Sequence, residues 1–234
     1  MYRYETHVHT SPVSKCAKAT VRETVEFYKA MGYDGIIITN HFLDGNIDID
    51  PSVPYKEKLD FYYADADEAE KLGREIGLQV FCGEELSYGG TDFLIYGLDR
   101  RFYYEHPEVM EMDKRSELAL LADNGAFISQ AHPYREAFYI DHIRLYPRSV
   151  HAAETVNANR TELENRMADI YADAYGLLKT AGTDNHRAGG QAKLAGMECP
   201  YRLRSCADFV QAVKNGELRI FTLERPDDGW EELR

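Results

Sequence analysis

The sequence predicts an α/β fold in which the strands close, or nearly close, into a barrel. Apolar runs of strand length alternate with amphipathic segments of helix length along most of the chain, which favours parallel strands joined by crossover helices. The chain has 234 residues and seven or eight such strands. This length lies near the lower end of the usual range for an α/β barrel, so an irregular barrel is expected. We expect a single domain over residues 1–234.

Eight segments rich in β-branched or aromatic residues are the predicted strands. They cover residues 2–8, 35–39, 79–84, 92–98, 126–130, 150–156, 177–182 and 218–223. Residues 43–55 have turn chemistry and no clear period, which predicts a loop and a candidate lid beside an active site.

Helix signals lie between the strands. Thr20 and Glu23 form a capping box, and Gly32 supplies a stop. Residues 56–76 carry one apolar stripe among many carboxylates, which is typical of a solvated helix with one buried face. Further helices are predicted from Pro107 to Asn124 and Gly125, over 163–174 before Gly176, and from Ser205 onward.

The composition is strongly acidic, with 40 Asp and Glu against 27 Lys and Arg and a formal net charge of −13. Such a balance disfavours tight non-specific binding to nucleic acid or to an anionic membrane surface. It leaves a phosphorylated substrate open, because bound divalent ions reverse the local field of a site. The N-terminus does not resemble a signal peptide, and the four cysteines form no CxxC pair. We therefore expect a cytoplasmic protein with reduced thiols.

Histidine and carboxylate side chains occur where the predicted strands end. His7 and His9 end the first strand with one residue between them, so both imidazoles point to one face and can reach one ion. His41 follows the second strand directly. The other candidates at strand ends are Glu84 and Glu85, His132, and the pair Asp184 and His186.

Five strands thus place a potential ligand at the C-terminal end, the face of an α/β barrel on which active sites are built. A single histidine at a strand end is more often a loop residue than a ligand, but this combination is hard to obtain by chance. It indicates a site for more than one divalent ion. His106, His142 and His151 do not share the pattern and are expected to be structural.

Six short runs resemble, in the same order, the motifs of the PHP (polymerase and histidinol phosphatase) family. They are HVHT from residue 7, TNH ending at 41, GEE at 83–85, AHP at 131–133, ETVN at 154–157 and GTDNH at 182–186. The resemblance implies a distorted (β/α)7 TIM-like barrel with two to three divalent metal ions (Zn, Mn or Fe). It also implies metal-dependent hydrolysis of phosphoesters as the activity.

The resemblance also implies how the first ion is held. His7, His9 and Asp184 would bind it together with a glutamate that bridges to a second ion. In the family this glutamate lies two residues after a glycine, so Gly83 selects Glu85 over the glutamate before it.

The second and third ions are implied in the same way. Glu85 and His132 would hold the second ion, and His41 and His186 would belong to the third. The family usually adds a histidine to the second ion from the strand after the bridging glutamate, and this chain has Asp92 there. Aspartate is a hard ligand, so the site can persist with a preference shifted towards Mn, Fe or Mg.

The third ion is where the chain departs further from the family pattern. The family usually places a histidine or aspartate a few residues after HxH, whereas this chain reads SPVSKCA. That stretch offers only Lys15 or Cys16. A site for two ions is therefore better supported by the sequence than a site for three.

The expected chemistry follows from such a centre. Two ions that share a hydroxide present it in line with phosphorus and neutralise the leaving oxygen. His186 or His41 can protonate the leaving group if an ion does not fully occupy it. Arg135 and Arg187 directly follow ligand motifs and are candidates to clamp a phosphate, the alternative being a surface ion pair.

We expect the substrate to be a small phosphomonoester or diester, with histidinol phosphate one member of the possible set. The alternatives are a nuclease acting on short oligonucleotides or nucleotides, and a metal-binding module without turnover. Amidohydrolases share HxH, but they usually have longer chains and a bridging lysine. No stable nucleic-acid partner and no membrane association are expected, and the sequence does not indicate the oligomeric state.

Overall fold

The computed structural model describes residues 1–226 and 229–230. The strands are β1 (Tyr2–Val8), β2 (Gly35–Ile38), β3 (Gln79–Tyr88), β4 (Thr91–Tyr96), β5 (Phe127–Ala131), β6 (Ala152–Asn157), β7 (Leu178–Gly182), β8 (Lys193–Cys199) and β9 (Arg219–Glu224). The helices are α1 (Val21–Ala30), α2 (Tyr55–Ile76), α3 (Arg101–Glu105), α4 (Lys114–Asp123), α5 (Glu162–Tyr175) and α6 (Cys206–Lys214).

These strands form one sheet with the order β7-β6-β5-β4-β3-β2-β1-β8-β9. The strands β1, β2 and β3 are parallel, and so are β5, β6 and β7. In contrast, β4 is antiparallel to both of its neighbours, β8 is antiparallel to β1, and β9 is antiparallel to β8. The prediction of parallel strands is therefore wrong for β4 and β9, and β8 is not among the predicted strands.

The first seven strands curl until the end of β7 meets β1. The Asp184 amide donates to the His7 carbonyl oxygen (2.8 Å), and the His9 amide donates to the carbonyl oxygen of Asn185 (2.9 Å). A Cβ atom at Gly182 would lie 2.5 Å from the Cβ atom of His7, so only glycine permits this close approach. The barrel predicted from the sequence is confirmed, and β8 and β9 extend its sheet beyond β1.

All eight predicted strands are present, and their ends differ from the predicted ones by at most four residues. The strand β8 has no counterpart among the predictions. Its seven residues include two charged side chains and Gly196, which dilute the strand signal. Glycine is needed there because a Cβ atom would collide with the carbonyl oxygen of Tyr4 on the neighbouring strand.

The predicted helix starts are mostly confirmed. The capping box of α1 is formed, with the Thr20 side chain accepting from the Glu23 amide and the Glu23 carboxylate accepting from the Thr20 amide. The helices α2, α5 and α6 begin and end close to their predicted bounds. Among the described residues, no helix combines the length and apolarity needed to cross a lipid bilayer.

The single helix predicted from Pro107 to residue 124 is wrong. A 3-10 turn over Pro107–Glu111 ends at Met112, whose ψ of 154° is extended. Asp113 then caps a new helix, α4, because its carboxylate accepts a hydrogen bond from the Ser116 amide. Asp113, an N-cap residue within a pattern that otherwise reads as one helix, thus begins a second helix.

The antiparallel strand β4 has a local cause. Gly89 and Gly90, with φ values of 55° and 85°, join β3 to β4 in a two-residue turn, and tight hairpins of this kind require positive φ at both central residues. The turn reverses the chain at the C-terminal end of β3. As a result, the N-terminal end of β4, with Asp92, lies at the same barrel mouth as the C-terminal ends of the parallel strands.

The segment predicted as a loop over 43–55 contains no helix before Tyr55 and no strand. Its residues Asp44, Gly45 and Asn46 line the cavity at the barrel mouth. The prediction of a loop beside the site is confirmed, whereas its movement as a lid stays a prediction.

Candidate metal centre

A cavity of about 660 Å³ opens at the mouth of the barrel. Loops that follow β1, β2, β5, β6 and β7 meet there, together with the β3–β4 hairpin. The chemistry-bearing side chains in its wall are Cys16, His41, Asp44, Glu85, Asp92, His132, Arg135, Arg160, Asp184 and His186.

His7 and His9 form the floor of the site. Both side chains are buried, and their Nε2 atoms lie 3.3 Å apart. Alternation along β1 therefore turns both rings to the same side, as the sequence predicts. The Oδ1 atom of Asp184 lies 3.5 Å from Nε2 of His7 and 3.4 Å from Nε2 of His9. Three donor atoms thus surround one point.

Glu85 lies at the centre of the site because β3 continues past the end of β2. The Glu85 amide donates to the carbonyl oxygen of Asn40 (3.0 Å), and the Phe42 amide donates to the carbonyl oxygen of Glu85 (2.8 Å). The Oε1 atom of Glu85 lies 3.1 Å from Nε2 of His7, and its Oε2 atom lies 2.7 Å from Nδ1 of His41.

The two oxygens of Glu85 are buried and accept no hydrogen bond within residues 1–226 and 229–230. Burial alone would raise the pKa of this carboxyl group. The imidazoles of His41, His7 and His9 outweigh burial and hold its pKa well below the usual range. Glu85 is therefore an anion that needs positive charge and has no amide or hydroxyl donor to satisfy it.

The neighbouring Glu84 points to the opposite side of β3, as alternation requires. Its carboxyl group accepts a hydrogen bond from the Tyr63 hydroxyl (3.1 Å). Burial raises its pKa to about 8, so it is mostly protonated at neutral pH. Glu85 therefore faces the barrel mouth and Glu84 faces away from it, as the sequence predicts.

His132 and Asp184 are held in unusual backbone conformations. Their φ values are 25° and 58°, and positive φ is uncommon for residues other than glycine, although aspartate and histidine tolerate it better than most. The Nε2 atom of His132 lies 3.6 Å from Oε1 of Glu85 and 3.8 Å from Oδ2 of Asp184. Strain of this kind concentrates where surrounding structure fixes a functional side chain.

Three overlapping groups of side chains could each hold a metal ion. They are His7, His9 and Asp184; His7, Glu85 and His132; and His9, His41 and His186. Donors bound at about 2.1 Å to a tetrahedral ion lie about 3.4 Å apart. In the first group the donor atoms are 3.3, 3.4 and 3.5 Å apart, so the residues present fit such an ion.

Cys16 lies beside the third group. Its Sγ atom is 3.1 Å from Nε2 of His186. Burial would raise the pKa of the thiol, but hydrogen bonding by His186 and His41 outweighs burial and lowers it to about 6. Lys15 points away from the site, since its Nζ atom lies 4.0 Å from Asp48 and its side chain is 65% exposed.

Two side chains orient the histidines, and neither was assigned a role from the sequence. An oxygen of Glu154 lies 2.9 Å from Nδ1 of His7, and its other oxygen accepts from the His132 amide (3.0 Å). The Ser14 hydroxyl lies 3.1 Å from Nδ1 of His9. A carboxylate on the far nitrogen fixes the tautomer and the direction of a ligand imidazole. The only sequence feature that could have indicated a role for Glu154 is its position in the ETVN run, one of the motifs that resemble the PHP family.

Asp92 lies at the edge of the three groups. Its Oδ2 atom is 2.7 Å from an Nη atom of Arg135 and 3.9 Å from Nε2 of His132. Arg135 also donates to the carbonyl oxygen of Gly90 (2.9 Å). The carboxylate that the sequence predicts as a ligand therefore has an arginine partner in the structure, and its binding to an ion stays a prediction.

Arg187, the second arginine predicted to bind phosphate, does not line the cavity as Arg135 does. Arg187 is exposed and is not among the residues that line the cavity, so its role as a phosphate clamp stays a prediction. Arg160 lines the cavity instead. Within the part of the chain that the structure describes, the buried Nε atoms of Arg135 and Arg160 have no hydrogen-bond partner. Two guanidinium groups thus have donors available for an anion in the cavity.

The remaining histidines lie elsewhere, as predicted. His106 pairs with Glu108 at the surface (2.9 Å), and His142 contacts Asp141. The Nδ1 atom of His151 accepts from the Ile128 amide (3.0 Å), which ties β5 to the start of β6.

Several solved structures share this fold at low sequence identity. A two-domain protein from Bacteroides vulgatus, which contains a predicted PHP-like metal-dependent phosphoesterase, matches 94% of the chain at 16% identity with a TM-score of 0.67. The chain spans only 64% of that protein's length. A protein from Bifidobacterium adolescentis, named by inference a metal-dependent phosphoesterase, matches 89% of the chain and 94% of its own length at 13% identity with a TM-score of 0.56.

An amidohydrolase from Chromobacterium violaceum, whose structure contains sulfate and no metal, also has this fold. It matches 96% of the chain and 99% of its own length at 14% identity with a TM-score of 0.55. No family model and no curated protein matches the sequence. The structural likeness confirms the barrel that the resemblance to the PHP family implies.

The pair Glu84 and Glu85 allows a matched test of the centre. Glu85→Gln removes the negative charge that lies among the imidazoles of His7, His41 and His132, so we expect the affinity for divalent ions to fall about 100-fold or more. Glu84→Gln replaces a carboxyl group that is already mostly protonated and should leave ion binding unchanged. Equilibrium dialysis with elemental analysis measures both.

The Glu84 variant has an independent readout. A buried acid with a raised pKa destabilises the folded state as pH rises from about 4.5 to about 8, because the unfolded chain releases its proton more readily. Glu84→Gln should therefore weaken the loss of stability over that range. Equal loss of ions from the two variants would contradict the assignment of Glu85 to the centre.

Proposed function

We propose that the chain is a metal-dependent phosphoesterase of the PHP family that hydrolyses a small phosphomonoester or diester, in the manner of a histidinol phosphatase. The observation that carries the proposal is Glu85, a buried anion among imidazole nitrogens with no hydrogen-bond donor of its own. Metal ions are the partners that such a set of donors fits. Fold neighbours named as phosphoesterases support the same reaction class.

The ligands are assigned by proximity. His7, His9 and Asp184 would hold one ion together with Glu85, and Glu85 and His132 would hold the second. Asp92, which pairs with Arg135, would add a carboxylate to the second ion. His41 and His186 would belong to a third position. When bound, the ions supply Lewis acidity to the phosphoryl oxygens and a water of lowered pKa.

The chain's own cations hold the substrate. Arg135 and Arg160 line the cavity, and each has a buried Nε–H without a partner in the described chain. A guanidinium group binds phosphate oxygens through parallel hydrogen bonds, which orients the ester as well as attracting it. Two such groups favour an anionic substrate over the neutral amide that an amidohydrolase would cleave.

A proton for the leaving oxygen is available at the cavity wall. Burial would lower the pKa of His186, but the contacts with Cys16 and Asp184 outweigh it and raise the pKa. His186 is 24% exposed towards the cavity. It, or His41, protonates the leaving group in states in which its nitrogen binds no ion.

A nuclease for short oligonucleotides or nucleotides remains the second candidate, since it cleaves the same kind of bond. The acidic surface charge argues against long nucleic acid. The non-catalytic alternative predicts ion binding without turnover. An assay against several classes of substrate, with metal ions added singly, separates these possibilities.

Metal-free protein should be assayed against phosphomonoesters, phosphodiesters, short oligonucleotides and amides with Mn²⁺, Zn²⁺, Fe²⁺ and Mg²⁺ added singly. We expect hydrolysis of a small phosphoester that depends on added ion and falls about 100-fold or more in Asp184→Asn. Release of phosphate, followed colorimetrically, is the measurement. Full ion binding without hydrolysis of any ester would contradict the proposal and favour the non-catalytic module.

The two arginine assignments can be told apart. Arg160→Ala removes a cation from the cavity wall and should raise KM for the phosphoester about 10- to 100-fold, as expected for the loss of a charge-assisted hydrogen bond. Arg187→Ala changes an exposed side chain and should alter KM less than about 2-fold. Steady-state kinetics measures both variants. The reverse order would favour Arg187 as the phosphate ligand predicted from the sequence.

A further inference from the structure

One side chain at the barrel mouth differs in chemistry from the carboxylate and imidazole donors already assigned. The thiol of Cys16 lies on the cavity wall, with Sγ 3.1 Å from Nε2 of His186. The imidazole of His41 lies next to His186, with the two ring centroids 6.3 Å apart, and it lines the same cavity wall. A thiol and two imidazoles thus lie beside the Glu85 centre.

The loop that carries Cys16 is fixed by backbone hydrogen bonds. The Ser14 amide donates to the Thr10 carbonyl oxygen (3.0 Å), the Lys15 amide to that of Asn46 (2.9 Å), and the Ala17 amide to that of Ser14 (3.0 Å). The thiol therefore faces the two histidines because the turn holds it there. The structure directs Cys16, and not Lys15, towards the third position.

A second observation points to a cation at this position. The buried oxygens of Glu85 and the Nδ1 atom of His41 lie against each other, yet neither forms a hydrogen bond within the described residues. His9 also approaches His41 and His186, with ring centroids 4.5 and 4.3 Å away. Imidazoles crowded together with a thiol are stabilised when they share an ion as neutral ligands.

We propose that Cys16, His41 and His186 form a thiolate-containing metal site that selects a zinc-like ion. Thiolate is a soft ligand that favours Zn²⁺ over Mg²⁺ and Mn²⁺, whereas the His, Asp and Glu groups next to it accept harder ions. Three protein ligands leave a position open, as in catalytic zinc sites. The centre then binds two kinds of ion.

The inference rests on the metal centre of the proposed function and does not depend on the substrate. Ion binding and sulfur ligation are measured without any ester present. An enzyme with a different substrate leaves this proposal intact, and a phosphoesterase with two ions only would refute it.

The direct test is a titration of the metal-free protein with Co²⁺, which replaces zinc and reports its ligands by its spectrum. We expect a thiolate-to-cobalt charge-transfer band in the near ultraviolet. The band should be absent in Cys16→Ser and unchanged in Cys206→Ser, which alters a thiol at the first residue of α6. A Co²⁺ spectrum without the band in the wild-type protein would overturn the proposal.

Zinc affinity gives the second measurement. We expect Zn²⁺ binding at one position to weaken about 100-fold or more in Cys16→Ser, and Cys16→Asp to restore an ion with a preference for Mn²⁺ over Zn²⁺. In the wild-type protein, Zn²⁺ should protect Cys16 from alkylation, as mapped by mass spectrometry. Equal alkylation with and without Zn²⁺ would contradict sulfur ligation without relying on a variant.

Discussion

The buried charge of Glu85 is the constraint on which the rest of the structure depends. An ionised carboxylate removed from water costs several kcal/mol unless opposite charge or hydrogen bonds replace its hydration. Its two oxygens have no donor in the described chain and face His7 and His41 at 3.1 and 2.7 Å. The imidazoles compensate the charge only when protonated, whereas ions compensate it and leave the imidazoles neutral. The mouth of the barrel is therefore organised around cations.

Closure of the barrel makes this arrangement possible. His7 and Asp184 are far apart in the sequence, and they become neighbours because the end of β7 bonds to β1. The two strands meet over Gly182, where a side chain would strike His7. The antiparallel strand β4 adds Asp92 to the same mouth from its N-terminal end. The donors thus come from the ends of several different strands, and the fold fixes their separations without an ion.

The sequence reveals the parts of the site that depend on local pattern. Alternation along a strand places His7 and His9 on one side and turns Glu84 and Glu85 to opposite sides, and both expectations hold because side-chain direction follows from the neighbouring residues alone. The choice of Glu85 over Glu84 rests on the resemblance to the PHP family and not on alternation. The eight strands and most helix starts follow from similarly local signals. The Gly89 and Gly90 pair signals a hairpin, and with it the reversal of β4 could have been predicted.

Contacts between distant parts of the chain could not be predicted from local sequence pattern. The pairing of Asp92 with Arg135 and the support that Glu154 gives His7 arise from segments that meet only after folding. Which arginines line the cavity is decided in the same way. The strand β8 is stabilised by β1 and β9 more than by its own residues. The position of Cys16 is of the same kind, since only the folded loop shows which of two adjacent side chains turns inward.

The most direct test of the central claim is anomalous X-ray diffraction from crystals of the protein grown with Mn²⁺ and Zn²⁺. We expect separate ions on the two oxygens of Glu85, each at about 2.0–2.2 Å, with His7, His9 and Asp184 around one and His132 beside the other. Crystals that carry ordered ions elsewhere but none at Glu85 would contradict this claim.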